Sequence, residues 1–264
     1  MNWVRVATAA VLAPAFFLTV WYGSLNIFVA LIELICAASF LEFARMAKGK
    51  GIKILKVQGF CAALILPLVF IHSAPLVYVV LAVILVSILT VCVSDPDNGT
   101  ESFIFTIAAV LYIGVCFSST VLIRKLPDGE KLFLLICFAT WGADIGAYYA
   151  GRAFGRRKLA PAISPGKTVE GFLGGFLFSF VFGFVFVYFF YKPAFGITMI
   201  AAALAGGLIG PLGDLSESMF KRYFGQKDSG AILPGHGGVL DRVDALMLAA
   251  PAFYIFLAIR DGLF

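Results

Sequence analysis

With 264 residues, 61% of them hydrophobic and only 13% charged, the chain has a mean hydropathy of +1.00 and more apolar surface than a water-soluble fold can bury. The net charge of +5 comes without a basic surface interleaved with aromatics, which excludes nucleic acid as a partner and leaves membrane topology and anionic headgroups as its use. The apolar runs are continuous rather than alternating, which excludes a β-barrel and points to helices.

Runs long enough to cross a hydrocarbon core of about 30 Å fall near residues 6–22, 24–44, 57–71, 75–94, 102–123, 132–153, 168–191, 195–215 and 239–259. The expected fold is therefore an all-α polytopic integral membrane protein with about nine transmembrane helices. The first run follows Arg5 and is longer than a signal-peptide core, so it reads as an uncleaved span; the third is the weakest. With the N-terminus in the cytosol, fifteen of the 20 Lys and Arg residues fall on the cytoplasmic side, a three-to-one bias. All five cysteines, Cys36, Cys61, Cys92, Cys116 and Cys137, lie in these runs without metal-ligand spacing and read as small apolar packers.

Residues 1–123 form a five-span N-terminal region and residues 124–264 a four-span C-terminal region within one membrane domain. The N-terminal region carries two acids inside spans. Glu42 precedes Arg45 by three residues and reads as half of an ion pair at a helix end. Glu33 lies deeper, where it is either a functional group or a protonated or hydrogen-bonded structural one. His72 lies in an external loop and reads as structural.

The C-terminal region concentrates the charge in two cytoplasmic loops, 155–167 and 216–238. Glycine pairs at four-residue spacing, Gly142 with Gly146, Gly151 with Gly155, Gly171 with Gly175 and Gly206 with Gly210, predict close helix packing. Pro211 leaves the Gly207 carbonyl without its helical donor and predicts an opened or kinked helix just before Asp214.

Asp144, Asp214, Asp241 and Asp244 sit in or beside the sixth, eighth and ninth runs. An acid at membrane depth costs about 2.5–3.5 kcal/mol, so these carboxylates need cations: either a hard ion such as Mg²⁺ or the neighbouring Lys221, Arg222, Lys227 and Arg242. From Ser218 to Asp244 the chain reads SMFKRYFGQKDSGAILPGHGGVLDRVD, which joins bases, hydroxyls, glycines, a histidine and acids. Those are parts for phosphoryl chemistry. In SPGKTVEGFLGG, from Ser164 to Gly175, the GKT fails as a Walker loop because position 161 is Pro161 and no strand precedes it. There Ser164 or Thr168 caps the seventh helix, and Lys167 at that N-terminus faces an anion. His236 suits hydrogen bonding to substrate better than base catalysis. Arg156, Arg157 and Lys158 fix topology or attract a headgroup or nucleotide.

The Ser218–Asp244 run resembles the signature of the CDP-diacylglycerol synthases, or phosphatidate cytidylyltransferases, at Ser218, Lys221, Arg222, Lys227, Asp228, Gly230, Pro234, His236, Gly237, Gly238, Asp241, Arg242 and Asp244. The segments WGADIGAYYAGR from Trp141 and SPGKTVEG from Ser164 resemble the same family, so the likeness covers residues 141–244. The resemblance implies a multi-pass enzyme of the cell (inner or plasma) membrane, with its N-terminus and active site cytoplasmic, that condenses CTP with phosphatidic acid to give CDP-diacylglycerol and pyrophosphate. It further implies a cation site at Asp144, Asp214, Asp241 and Asp244, for Mg²⁺ with K⁺ as the candidate second ion, and a homodimer. Lys221, Arg222, Lys227, Asp228, His236 and Arg242 then serve catalysis, and Ser164, Lys167, Thr168, Glu170, Ser218, Gly237 and Gly238 hold substrate. The rival readings are a CTP-dependent lipid kinase, which attacks the γ-phosphorus, and an ion-coupled transporter, for which no inverted repeat is visible.

Overall fold

The computed structural model describes residues 3–72, 82, 84–88, 90, 99–235 and 237–263. These are mostly helical, in the order α1 (Trp3–Tyr22), α2 (Leu25–Gly49), α3 (Lys56–His72), α4 (Gly99–Lys125), α5 (Gly129–Phe154), β1 (Lys158–Ala160), β2 (Ser164–Thr168), α6 (Val169–Phe190), α7 (Ile197–Tyr223) and α8 (Leu240–Arg260). Among the described residues six helices, α2 and α4 to α8, are long and apolar enough to cross a membrane. The first and third expected spans appear with shorter apolar stretches, Ala10–Tyr22 and Lys56–Phe70, and α3 carries Pro67 inside it. Most of the fourth expected span, 75–94, lies outside the described residues, as do the side chains of Cys92 and His72.

Two loops expected from charge differ in the structure. The segment 155–167 contains an antiparallel hairpin, Lys158 pairing with Thr168 and Ala160 with Ser164. The eighth expected span, α7, runs on to Tyr223, so Lys221 and Arg222 are helical rather than in a loop. Polarity misleads here because this last stretch, DLSESMFKRY, has helix-compatible spacing despite its charge.

The residues pack into two compact units, one within Met1–Leu122 and Tyr223–Arg242, the other within Ile123–Arg222 and Val243–Phe264. In the first unit α2 buries Phe28, Ile32, Cys36, Phe40 and Phe43. Phe224, just past the end of α7, is buried against Phe43 at 5.4 Å and Phe105 at 5.2 Å between ring centroids. The Lys50 ammonium sits 3.3 Å from the centroid of the Tyr223 ring, a cation–π contact at the same corner.

In the second unit glycines set the packing of α5 on α6. A Cβ on Gly146 would lie 2.5 Å from Phe178 Cβ and 2.6 Å from the Gly174 carbonyl, and one on Gly175 would lie 2.6 Å from the Ala143 carbonyl. Such approach drives helix association where no aqueous hydrophobic effect acts between helices. Gly146→Val is therefore expected to destabilise by about 1–3 kcal/mol through overpacking, read as a lower unfolding midpoint in detergent. Gly166→Ala, where a Cβ would meet nothing within 4 Å, leaves that midpoint unchanged.

The opening predicted around Pro211 takes the form of a π-helical segment, Ala205–Ile209, in which the Gly210 N–H reaches back to the Ala205 carbonyl. One wider turn absorbs the missing donor and lets α7 continue. Gly206 packs on the Ala139–Thr140 backbone, and Ser179 Oγ donates to the Ala203 carbonyl at 2.9 Å, so the wide turn is clamped by α5 and α6. Before α5, Asp128 adopts φ +54, and its hydrogen bond from Lys131 at 2.6 Å holds its carboxyl below the ordinary carboxylate range.

Candidate active site

In the second unit a cavity of about 630 Å³ opens between α5, the hairpin, α6 and α7. Asp144, Tyr148, Arg152, Lys167, Thr168, Pro211 and Asp214 line it. Its size and mixed lining suit a ligand with polar groups. Thr168 starts α6 as an N-cap, its hydroxyl accepting from the Gly171 N–H at 3.1 Å, as its position before the apolar run predicts. That cap places the preceding Lys167 at the cavity, where its ammonium pairs with Asp214 Oδ2 at 2.6 Å. Both side chains remain about a quarter exposed, 24% and 30%, so the pair is open to exchange with an incoming anion.

Asp214 also accepts from Ser218 Oγ at 3.3 Å, one turn along α7. A further turn holds a buried ion pair, Lys221 Nζ with Glu217 Oε2 at 2.5 Å, with side-chain exposures of 10% and 0%. Gly213 lets α8 approach closely enough that a Cβ there would strike the Asp244 carbonyl. Asp214, Glu217 and Asp144 each stand within electrostatic range of Asp244, whose Oδ1 accepts from the Ala245 N–H at 2.7 Å.

Among the described residues no three His, Cys, Asp or Glu side chains converge as a ready-made metal cage. Mg²⁺ does not require one, because it usually takes one or two carboxylates and fills its octahedron with water and substrate phosphate. The all-oxygen donor set fits that ion.

Other expected site residues are accounted for differently. Glu170 Oε2 accepts from the Arg156 N–H at 3.0 Å and the Arg157 N–H at 3.2 Å, so it anchors the hairpin rather than facing the cavity. Arg222 Nε donates to the Ile163 carbonyl at 3.2 Å and braces the same hairpin. Ser164 is half-buried at the start of β2.

In the first unit the segment after Tyr223 carries the rest of the motif. Lys227, Asp228 and Arg242 are exposed, and His236 lies outside the described residues. Asp241, in the first turn of α8, accepts at Oδ2 from the Ser229 N–H at 3.0 Å, Ser229 Oγ at 2.9 Å and the Gly238 N–H at 3.0 Å. Gly238 therefore spends its N–H on Asp241 and has none for a phosphate. Gly237, with φ +81, is at a turn that favours glycine.

Glu42 is a correction. It is wholly buried while Arg45 is exposed, and its carboxylate accepts from the Val239 N–H at 3.0 Å, the Leu240 N–H at 2.9 Å and Ser229 Oγ at 3.2 Å. The three-residue spacing to Arg45 suggested a local pair, but the N–H groups opening α8 take the carboxylate instead. Glu217 and Ser229 were not singled out by the sequence. Glu217 carried one signal, its i,i+4 spacing to Lys221; Ser229 carried none beyond its place in the motif.

The sequence profile of the cytidylyltransferase family matches residues 3–260. A phosphatidate cytidylyltransferase of Bacillus subtilis is 35% identical over 266 residues, covering 97% of this chain and 97% of its own length. One from Staphylococcus aureus (strain COL) is 35% identical over 263 residues, covering 96% and 98%. A third, from Pseudomonas aeruginosa, is 52% identical over 139 residues, which is 52% of this chain and 51% of its own.

Proposed function

Because the chain belongs to the cytidylyltransferase family, we propose that it condenses CTP with phosphatidate in the membrane, giving CDP-diacylglycerol and pyrophosphate. The observation that carries this reading is near-full-length similarity to phosphatidate cytidylyltransferases, joined to a cavity where Lys167 and Asp214 face each other beside clustered carboxylates. A phosphate oxygen of phosphatidate attacks the α-phosphorus of CTP in line. The bond from that phosphorus to the bridging oxygen of the β-phosphate breaks, and pyrophosphate leaves with the electron pair. No covalent intermediate on the protein is needed.

The acids Asp144, Asp214, Asp241 and Asp244 would hold Mg²⁺, which would supply charge neutralisation to the phosphates; K⁺ is the candidate second cation. Lys167 exchanges Asp214 for a substrate phosphate at the cavity, and Thr168 fixes the turn that presents it. Lys227 and Arg242, both exposed, neutralise the leaving pyrophosphate in this reading, and Asp228 and His236 orient substrate. Lys221, buried on Glu217, acts from behind by setting the charge of the carboxylate cluster. Glu170 and Arg222 serve through the hairpin.

The distribution of Lys and Arg and the cytosolic location of CTP support a cytoplasmic N-terminus and site, and the bacterial relatives support the plasma membrane. The homodimer belongs to the same proposal; a monomer mass by light scattering in detergent removes it.

Isotope placement tests the reaction. CTP labelled at the α-phosphate is expected to label the lipid, while CTP labelled at the γ-phosphate leaves it unlabelled. Label in lipid from the γ-phosphate alone would make the chain a lipid kinase.

A further inference from the structure

Glu42 lies 187 residues or more from every group it holds on the segment between Tyr223 and α8, and nothing in the phosphoryl-transfer motif calls for it. A wholly buried carboxylate must be compensated, and here three donors do so: two backbone N–H groups at the start of α8 and the Ser229 hydroxyl. The same hydroxyl is 2.9 Å from Asp241 Oδ2. Its single proton is shared between the two carboxylates, which makes the hydroxyl their common neighbour.

Two motif glycines have their reason in this contact. A Cβ on Gly230 would lie 2.5 Å from Glu42 Oε1, and one on Gly238 would strike Ser229 Oγ and lie 2.7 Å from Glu42 Oε2. The small residues are clearance for Glu42. Asp241 in turn holds the Ser229 and Gly238 N–H groups, so the motif segment is closed on itself through Asp241 and pinned to α2 through Glu42.

We propose that Glu42 is a positioning residue for cytidylyl transfer: from α2 it fixes Ser229 and the first turn of α8, and thereby sets the orientation of the Asp241 carboxylate. This rests on the reaction proposed above. Glu42 touches no substrate in this account, so its loss lowers kcat and spares KM. Gln in its place offers one oxygen and one NH₂ where two N–H groups and a hydroxyl point in, so at least one amide of Val239 or Leu240 loses its acceptor.

The test compares the parent, Glu42→Gln and Ser229→Ala in lipid nanodiscs by turnover per folded molecule and by backbone hydrogen exchange. Glu42→Gln is expected to lower kcat by about 10-fold or more with the CTP KM within about twofold. Exchange should accelerate in the peptide spanning 229–240 and stay unchanged elsewhere. Ser229→Ala keeps both backbone bonds to Glu42 and is expected to show the same pattern at about 3-fold to 10-fold.

Turnover of folded Glu42→Gln within about twofold of the parent overturns the proposal, as does faster exchange throughout the chain. If Glu42→Gln does not fold, Ser229→Ala decides, and parental turnover there overturns it. A parent that makes no CDP-lipid while Glu42→Gln still shows the confined exchange change sinks the reaction and leaves the anchoring intact.

Discussion

Asp244→Asn is expected to lower CDP-diacylglycerol formation by at least about 100-fold, while the folded protein unfolds at the parental temperature or slightly above it. Asp244 is within electrostatic range of Asp214, Glu217 and Asp144, so a neutral amide in its place brings no like-charge repulsion to the native structure. The amide oxygen of Asn can still accept from the Ala245 N–H, which preserves the local bond at the start of α8. A residue whose neutralisation helps the fold and abolishes turnover is held for chemistry rather than stability. Turnover and thermal unfolding of one detergent-purified preparation check this together. Parental turnover at limiting Mg²⁺ would remove Asp244 from the cation site.

Lys221→Met is expected to cost about 3–5 kcal/mol of stability, the usual result of taking one partner from a buried ion pair. Glu217 is wholly buried, and the Lys221 ammonium that pairs with it is nearly so. Adding Glu217→Gln should recover most of the lost stability, because a neutral pair of similar volume carries no uncompensated charge. Turnover should stay low in the double variant, since the cluster has lost one carboxylate together with the ammonium that pairs with it. Unfolding midpoints for the two single variants and the double variant decide the point. A double variant as unstable as Lys221→Met, or one with parental turnover, contradicts the role given to this pair.

Much of the architecture was legible because lipid imposes simple rules. Among the described residues the continuous apolar runs are helices, three of the four glycine pairs lie along the α5–α6 seam, and a wide turn precedes Pro211. Local chemistry was legible at Thr168, whose hydroxyl caps α6, and at Lys167, which the cap delivers to the cavity. What escaped depended on long-range pairing. Glu42 could be matched only with its sequence neighbour Arg45, because nothing in composition says that the N–H groups of Val239 and Leu240 meet it. The resemblance implies a substrate role for Glu170, whereas its carboxylate accepts from the amides of Arg156 and Arg157, which become its neighbours only through the hairpin. Charge alone puts Lys221 in the loop 216–238, whereas α7 continues through it and buries it against Glu217.

The most direct test of the central claim is to incubate the purified protein with phosphatidate, CTP and Mg²⁺ and to weigh the lipid product by mass spectrometry while measuring pyrophosphate. The account predicts a lipid heavier than phosphatidate by a cytidylyl group, formed in step with pyrophosphate and lost in Asp244→Asn. Phosphatidate recovered unchanged, or a lipid bearing only an added phosphate with CDP released, would contradict it.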